Sequence, residues 1–383
     1  MSTTGTGFSS VDRPGWLEWL RNELAPRPGR GAMTIRIVVT VSLVVMISMS
    51  LQVPEALLSA YMVLFVTKEN KVVTTIAGIA MALGVTIAIG ASLLVYRFTF
   101  DFPERRIPVM AIILFAGFFF SRITAVGPLA FGMGFVFAAT QSIAELMPSA
   151  EYLVKWLLWL WVAVTYPIAL TVVTNHLILP AAPRPGPPRP RKRFLASDAF
   201  SNPAHARFAM KVTLAAMACY FLYTGVDWAG IHTAFIICCF IALESNSATL
   251  HKAALRLGGC AIGGLLGFLS IMYLIPYMES LVSLVFLIAA VTALAGWVAA
   301  GSERIAYAGL QIGLAFYMCI LQGFAPATDF DKIRDRVVGI VLGIIMTTLV
   351  FRFIWPEEES HGSGHPHADA QAGAKDQPSP RMA

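Results

Sequence analysis

Long apolar segments recur along almost the whole chain, from Ile35 to Trp355. The hydrocarbon layer of a bilayer is about 30 Å thick and is crossed by roughly 20 apolar residues in an α-helix. A transmembrane barrel would need shorter segments of alternating polarity, a pattern that this sequence lacks. With 57% hydrophobic residues, 13% charged residues and a mean hydropathy of +0.70, the chain has more apolar surface than one water-soluble core can bury. The sequence therefore predicts an all-α polytopic membrane protein.

Twelve apolar segments fall into two sets of six. The first set occupies residues 35–53, 55–66, 72–96, 107–120, 123–142 and 156–179. The second set occupies residues 207–226, 229–243, 252–275, 281–300, 304–323 and 336–355. We therefore predict twelve transmembrane helices in two six-helix repeats. The first repeat is predicted at residues 32–180 and the second at residues 207–356. An N-terminal segment (1–31) precedes them, a linker (181–206) joins them and a tail (357–383) follows.

Three segments outside the repeats are polar, each in a different way. The first 30 residues lack the apolar core of a cleavable signal peptide. Between Pro14 and Leu24, one helical face carries Trp16, Trp19 and Leu20. That face predicts a short helix on the bilayer surface; the alternative is an unstructured leader with two chance tryptophans. The linker is rich in Pro, Gly and Arg and cannot form a packed core, and the polar tail is predicted to be disordered.

The basic residues are distributed unevenly between the predicted loops. An even number of helices places the N-terminus, the linker and the C-terminus on one side of the membrane. The loops on the other side would then hold only Arg97, Arg105, Arg106, Lys155, Lys332, Arg334 and Arg336. About twenty of the 28 Lys and Arg residues lie on the first side, and basic loops are retained in the cytoplasm. This distribution predicts cytoplasmic termini and does not point to nucleic-acid binding.

Charged residues recur at matching places in the two sets. The pairs are Arg122 and Arg304, Arg36 and Lys211, and Glu69 and Glu244, with offsets of 304 − 122 = 182 and 211 − 36 = 244 − 69 = 175. Sets with an even number of helices enter the membrane in the same direction, so the repeats are predicted to be parallel and not inverted. A transport pathway would run between them.

The second apolar segment of each set, 55–66 and 229–243, is short for a membrane span. Short or interrupted segments at corresponding positions of two repeats are typical of transporter substrate sites. We therefore predict the substrate site beside these two segments.

Arg122 and Arg304 are candidate ligands for an anionic substrate, because arginine binds a carboxylate through two parallel hydrogen bonds. Alternatively, each arginine anchors a helix end at the membrane interface. Arg36 and Lys211 are further candidate substrate-binding cations within apolar segments. Gln311 could also bind substrate, or it could hydrogen-bond a neighbouring helix.

Four residues are candidates for proton coupling. Glu69 and Glu244 follow the two short segments, where burial would let a carboxylate titrate near neutral pH; alternatively, each caps the next helix. Asp227 and His232 flank the start of 229–243, and a histidine there could sense external acidity. The alternative for this histidine is an interfacial or core position.

Other residue patterns argue against an enzyme and against bound cofactors. The five cysteines lie within apolar segments at spacings that predict neither a disulfide framework nor a metal site. The glycines near Gly263 and those at Gly339 and Gly343 predict close helix packing, because no strand and no Gly-Lys-Ser/Thr accompanies them. We find no HExxH and no recognisable nucleophile and histidine spacing, so we predict no enzymatic activity, no cofactor and no metal.

Several stretches resemble the fusaric-acid-resistance (FUSC) family, which includes bacterial aromatic acid exporters. In the second half these are KAALRLGGCAIGGLLG, RIAYAGLQIG, LQGF, TDFDKIRDRVVGIVLGI and FRFIWP. The first half is similar more loosely, through AYMVLFVTKENKVVTTIAGIAMALG and the segment that begins at Arg122.

The resemblance implies a bacterial inner-membrane exporter of aromatic carboxylic acids or related drugs, which works with a periplasmic adaptor and an outer-membrane channel. It also implies a distant similarity to plant malate channels, and a homo-oligomer is compatible with it. Many relatives carry large cytoplasmic domains where this chain has the short linker and tail. Two alternatives stay open: a passive anion channel, and a membrane scaffold for the adaptor that does not itself transport.

Overall fold

The computed structural model describes residues 16–178, 195–196, 198–243, 249–302, 305–321 and 330–354. These residues form thirteen α-helices and no β-strand. The helices are α1 (Trp16–Leu24), α2 (Arg30–Ser50), α3 (Ala56–Val66), α4 (Lys71–Thr99), α5 (Pro103–Ile123), α6 (Gly127–Ser142), α7 (Ala150–Leu177), α8 (Pro203–Gly225), α9 (Thr233–Leu243), α10 (Thr249–Leu269), α11 (Leu281–Ala299), α12 (Ala306–Ile320) and α13 (Phe330–Phe353). The predicted all-α class is confirmed for these residues.

Each of the twelve predicted apolar segments overlaps one of the helices α2 to α13. Eight helices among the described residues are long and apolar enough to cross a membrane, and four apolar helices are shorter. Helices α3 and α9 have 11 residues each, which corresponds to about 16 Å at the usual helical rise. The short second helix of each half is thus confirmed, whereas twelve membrane crossings stay a prediction.

Helices α4 and α8 each begin directly after a residue whose side chain caps the helix. Asn70 accepts a hydrogen bond from the backbone N–H of Val72 and begins α4. Asn202 caps α8, whose first residue is Pro203, a residue suited to a helix start because it has no N–H to satisfy. Helix α8 therefore begins four residues before the predicted boundary at 207. Most of the predicted linker, the whole tail and residues 1–15 lie outside the described residues.

The outer surface of α4 shows how the bundle meets lipid. Helix α4 has 29 residues and is about 43 Å long, enough to cross the hydrocarbon at a tilt. Most of its exposed apolar residues are three, four or seven positions apart, at Val72, Val73, Ile76, Ile79, Leu83, Ile87, Leu94 and Phe98. This spacing places them on one helical face, which suits contact with acyl chains.

Two large apolar clusters form most of the interior, and each combines helices from both halves of the chain. The α8 cluster includes Met110 and Phe118 from the first half, packed against Ala216 and Phe235 from the second. The α2 cluster includes Ile37 and Val63 from the first half, packed against Ile288 and Phe316 from the second. The interior is therefore shared between the halves and is not split into two separate six-helix cores.

The helices of the two halves pack in a reciprocal pattern. Within the halves, α2, α3 and α7 contact one another, as do α8, α9 and α13. Between the halves, α2 packs against α11 and α3 against α12, while α8 packs against α5 and α9 against α6. The first and second helices of each half thus contact the fourth and fifth helices of the other half.

A proline fixes the short helix α3 to α7. Pro167 lies inside α7 and has no N–H to donate to the carbonyl oxygen four residues earlier. That oxygen, on Ala163, accepts a hydrogen bond of 2.8 Å from Oγ of Ser59 on α3. Because unsatisfied backbone groups are costly in hydrocarbon, this contact sets the position of α3 along α7.

Glycines allow close approach of α10 to α12, as the sequence predicted. A Cβ on Gly263 would lie 2.3 Å from the carbonyl oxygen of Ile312, and one on Gly267 would lie 2.5 Å from Cβ of Cys319. A Cβ on the neighbouring Gly264 would have no heavy atom of another helix within 4 Å. Only one face of this glycine stripe therefore requires small residues.

We predict opposite effects for alanine at two adjacent glycines. Gly263→Ala should lower the midpoint of thermal unfolding in detergent, because overpacking against a backbone oxygen costs about 1–3 kcal/mol. Gly264→Ala is the matched control and should leave the midpoint unchanged or raise it, because alanine favours the helix by about 1 kcal/mol. Equal midpoints for the two variants would contradict the packing of α10 on α12.

Candidate functional site

We call the end of the bundle at which α2 begins the inner end and the opposite end the outer end. Arg36 lies near the inner end of α2 and is buried. Its guanidinium donates to the carbonyl oxygen of Glu69 at 3.4 Å, to that of Ala32 at 3.3 Å and to Oδ1 of Asn175. Arg36 therefore ties α2 to the end of α7 and to the turn between α3 and α4.

Further hydrogen bonds extend this network. Nδ2 of Asn175 lies 3.4 Å from the carbonyl oxygen of Lys71, at the start of α4. The hydroxyl groups of Thr40 and Thr174 are 2.7 Å apart. Four helices meet at this buried polar network, and Asn175 is the member that the sequence analysis missed.

Glu69 differs from its predicted environment. Its side chain is exposed in the turn after α3, so the burial expected of a proton-carrying carboxylate is not found. The capping alternative is also wrong for this residue, because Asn70 caps α4. It is the backbone carbonyl of Glu69 that takes part in the buried network. Its predicted counterpart, Glu244, lies outside the described residues.

Lys211 and Gln311 are both buried, on α8 and α12 of the second half. The Lys211 ammonium lies 5.3 Å from the ring centre of Phe351 on α13, within the range of a cation–π interaction. Oε1 of Gln311 is 3.6 Å from Sγ of Cys260 on α10. Both residues thus contact neighbouring helices, which matches the alternative given for Gln311.

Arg122 is exposed in the last turn of α5. The central carbon of its guanidinium lies 4.5 Å from the ring centre of Phe208, near the start of α8. This position at a helix end fits the interfacial-anchor alternative. Its predicted counterpart, Arg304, lies outside the described residues.

Asp227 and His232 lie together at the outer end, where α8 leads into a short 3₁₀ helix before α9. Asp227 is exposed and has a φ of 53°, in the left-handed region that aspartate tolerates better than most residues. His232 is partly buried, and its Nδ1 lies 3.0 Å from the carbonyl oxygen of Ala229. The predicted residues are therefore dispersed: Arg36, Glu69, Lys211 and Arg122 lie towards the inner end, and these two lie at the outer end.

A second network, partly buried and missed by the sequence analysis, lies at the outer end. Arg106, predicted to lie in a loop, is only 3% exposed because α5 already begins at Pro103. Its guanidinium forms an ion pair with Glu145, in the 3₁₀ turn after α6. The Tyr220 hydroxyl donates to Oε1 of Glu145 at 2.6 Å, and the Tyr223 hydroxyl donates to the carbonyl oxygen of Ser142.

A third network fixes α1 to the inner end of α11. Arg30 donates to the carbonyl oxygens of Trp297 and Glu23, at 2.8 Å each. Nε1 of Trp297 donates to the carbonyl oxygen of Leu24 at 3.0 Å. Oγ of Ser302 donates to Oε2 of Glu23 at 2.5 Å. The predicted N-terminal helix is thus present and attached to the second half.

Residues 214–350, which include α9 to α12, match the protein family described as fusaric acid resistance protein-like. The family resemblance is confirmed. Among curated proteins, the chain is similar to multidrug resistance protein MdtO of Escherichia coli K12 and to the MdtO of Shigella flexneri, with 37% identity over 177 residues in each case. Each match covers 45% of this chain and 26% of the relative, so the chain matches about a quarter of the length of these relatives. No solved structure matches the chain.

The fusaric-acid-resistance-like part holds Gln311, and it supplies Tyr220 and Tyr223 to the network at the outer end. One signal in the sequence could have revealed that network. Pro103 favours a helix start, which would have placed Arg106 inside α5 and required a counter-charge there. The pairing with Glu145 depends on how α5 and α6 fold together, and no local pattern encodes it.

We predict that Asn175→Ala lowers the thermal unfolding midpoint of the purified protein. The substitution removes an acceptor from the buried Arg36, and a hydrogen bond to a charged group contributes about 1.5–3 kcal/mol. The control is His176→Ala, on the exposed side of the same turn, which should leave the midpoint nearly unchanged. A midpoint for Asn175→Ala equal to that of the control would show that Arg36 does not depend on this contact.

Proposed function

We propose that the chain is an efflux transporter of the bacterial inner membrane that exports organic anions, such as aromatic carboxylic acids, or related drugs. The observation that carries this proposal is the match of residues 214–350 to the fusaric-acid-resistance-like family. The names of the curated relatives, which are multidrug resistance proteins, agree with it. We further propose that export is coupled to proton entry and that a periplasmic adaptor and an outer-membrane channel complete the pump.

The proposed architecture is two parallel repeats of six helices, with both termini in the cytoplasm. Two observations support it: the short second helix in each half and the reciprocal packing of α2 on α11 and α8 on α5. The distribution of basic loop residues supports the orientation.

Buried cations in the interior support a path for anions. Charged side chains are rare within spans and usually face a partner or a pathway, and both Arg36 and Lys211 are buried on the first helix of their half. We propose that Arg36, Lys211, Gln311, Arg122 and Arg304 attract and bind the substrate. Glu69, Glu244, Asp227 and His232 are the proposed proton-coupling residues.

We predict that expressing the full chain in an efflux-deficient bacterium lowers the accumulation of a radiolabelled aromatic acid such as benzoate. Collapse of the pH gradient should abolish concentrative export, because an antiporter draws its driving force from that gradient. Continued conduction after the collapse would favour a passive anion channel instead. No effect on accumulation under any gradient would favour the scaffold alternative and overturn the proposal.

Replacement of Arg304 tests the anion-binding group directly. Arg304→Ala should reduce benzoate export at least tenfold while membrane insertion, measured by immunoblotting of membranes, stays normal. The expected loss follows from the strength of a bidentate arginine–carboxylate contact. The control is Lys155→Ala, an exposed residue paired with Glu151 at the outer end, which should export normally. Normal export by the Arg304 variant would remove this residue from the substrate site.

A further inference from the structure

A cavity with an open side lies between the two halves of the chain at the outer end, and we call it the outer cavity. Its volume is about 300 Å³, at the lower end of the range of about 300–1,000 Å³ that is typical of small-molecule sites. Its apolar lining consists of Met49 at the end of α2 and, around the start of α11, Ile275, Met278, Leu281 and Leu284. Methionine side chains are flexible and adapt to apolar groups of different shapes.

The outer cavity lies at the level of the membrane surface. Met49 is 19 residues beyond Arg30 on α2, which is about 28 Å of helix and close to the hydrocarbon thickness of about 30 Å. At the inner end, Trp297 lies against Arg30. At the outer end, Tyr273 and Tyr277 precede α11 and are 62% and 85% exposed. Because Trp and Tyr are enriched at both membrane interfaces, the cavity is at the headgroup level of the outer leaflet.

The charge beside the outer cavity is negative. Glu279 lines the cavity and is exposed, and none of the described residues forms an ion pair with it. No lysine or arginine lies between Arg36 and Lys68, or between Arg256 and Arg304, so the turns on both sides of the cavity contain no basic residue. The site therefore attracts a cation and repels an anion.

The second polar side chain of the lining already has a structural role. The Ser280 hydroxyl accepts a hydrogen bond from the backbone N–H of Ser283 and so caps α11. The Glu279 carboxylate is thus the polar side-chain group in this lining that is left for a ligand. A carboxylate accepts hydrogen bonds and donates none, which suits an ammonium group.

We infer that the outer cavity binds a phospholipid with a primary ammonium headgroup, such as phosphatidylethanolamine, from the outer leaflet. The ammonium group donates charge-assisted hydrogen bonds to Glu279, and the first carbons of an acyl chain fill the apolar part of the cavity. The rest of the lipid lies against exposed apolar residues nearer the bilayer centre, Met46 on α2 and Phe286 on α11. This lipid would link the outer ends of α2 and α11, which belong to different halves.

The inference goes beyond the proposed function and does not depend on it, because lipid binding can be measured without any transport. The test uses native mass spectrometry of the delipidated full chain in detergent. The protein is titrated with equal amounts of phosphatidylethanolamine and phosphatidylglycerol that carry the same acyl chains. The first bound lipid should be mainly phosphatidylethanolamine, and higher ammonium acetate should reduce this preference because salt screens exposed charges.

Glu279→Gln should lower the ratio of bound phosphatidylethanolamine to bound phosphatidylglycerol by about threefold, a size typical of an exposed ion pair. The matched control is Glu151→Gln, an exposed acid at the outer end of α7 that pairs with Lys155, and it should keep the unsubstituted ratio. Both variants change an exposed side chain, so both are expected to fold.

A second pair of variants tests the apolar part of the site. Leu284→Trp places a larger side chain in the cavity and should reduce the binding of the first lipid whichever headgroup it carries. The control is Leu294→Trp, at an exposed position of α11 nearer the inner end, which should bind lipid normally. If Leu284→Trp does not fold, the comparison of the two glutamine variants still decides the inference.

An unsubstituted protein without a preference for phosphatidylethanolamine would overturn the inference. So would a Glu279→Gln variant with the same lipid ratio as Glu151→Gln, or a folded Leu284→Trp variant that binds lipid as well as Leu294→Trp. Phosphoethanolamine, which has the headgroup and no acyl chains, should not displace the bound lipid. Displacement would show that the site takes a soluble ammonium compound and would overturn the assignment to a lipid.

Discussion

Every polar group inside this bundle must find its partner within the protein, because hydrocarbon offers none. The carbonyl oxygen freed by Pro167 illustrates this constraint, since it is satisfied by a serine on another helix. The same requirement explains why Arg36 is surrounded by oxygen acceptors from three segments. These contacts are directional, so they determine which helices lie side by side. Apolar packing alone would let neighbouring helices slide along each other.

The short helices α3 and α9 are held between helices of both halves of the chain. Neither is long enough to span the hydrocarbon comfortably, and each lies against the fifth helix of the other half. The turn after α3 presents a backbone carbonyl to Arg36, as a helix end within a protein-lined region can. The turn after α3 thus brings polar backbone to a buried cation near the inner end of the bundle.

The sequence alone was sufficient to locate the helices, but it was not sufficient to predict which helices pack against each other. Apolar length located α2 to α13, and the shortness of 55–66 anticipated α3. Arg36 was identified as a cation within an apolar segment, where a charge needs a partner or a cavity, yet its partner Asn175 could not be identified from a local pattern. Arg106 was assigned to a loop because the helix start at Pro103 was placed four residues too late. Glu69 was expected to be a buried carboxylate, but its side chain is exposed and its backbone oxygen binds the buried Arg36. The sequence could not show which part of this residue faces the interior.

The sharing of the α8 cluster and the α2 cluster between the two halves limits the motions that the protein can make. Rigid separation of residues 30–177 from residues 203–354 would break the α8 cluster and the α2 cluster at the same time. Such a separation would lose the close packing of both interiors, and packing is a main force that associates helices in a membrane because lipid tails are as apolar as the side chains. Conformational change is therefore expected to take the form of shear, in which individual helices slide while both interiors stay packed.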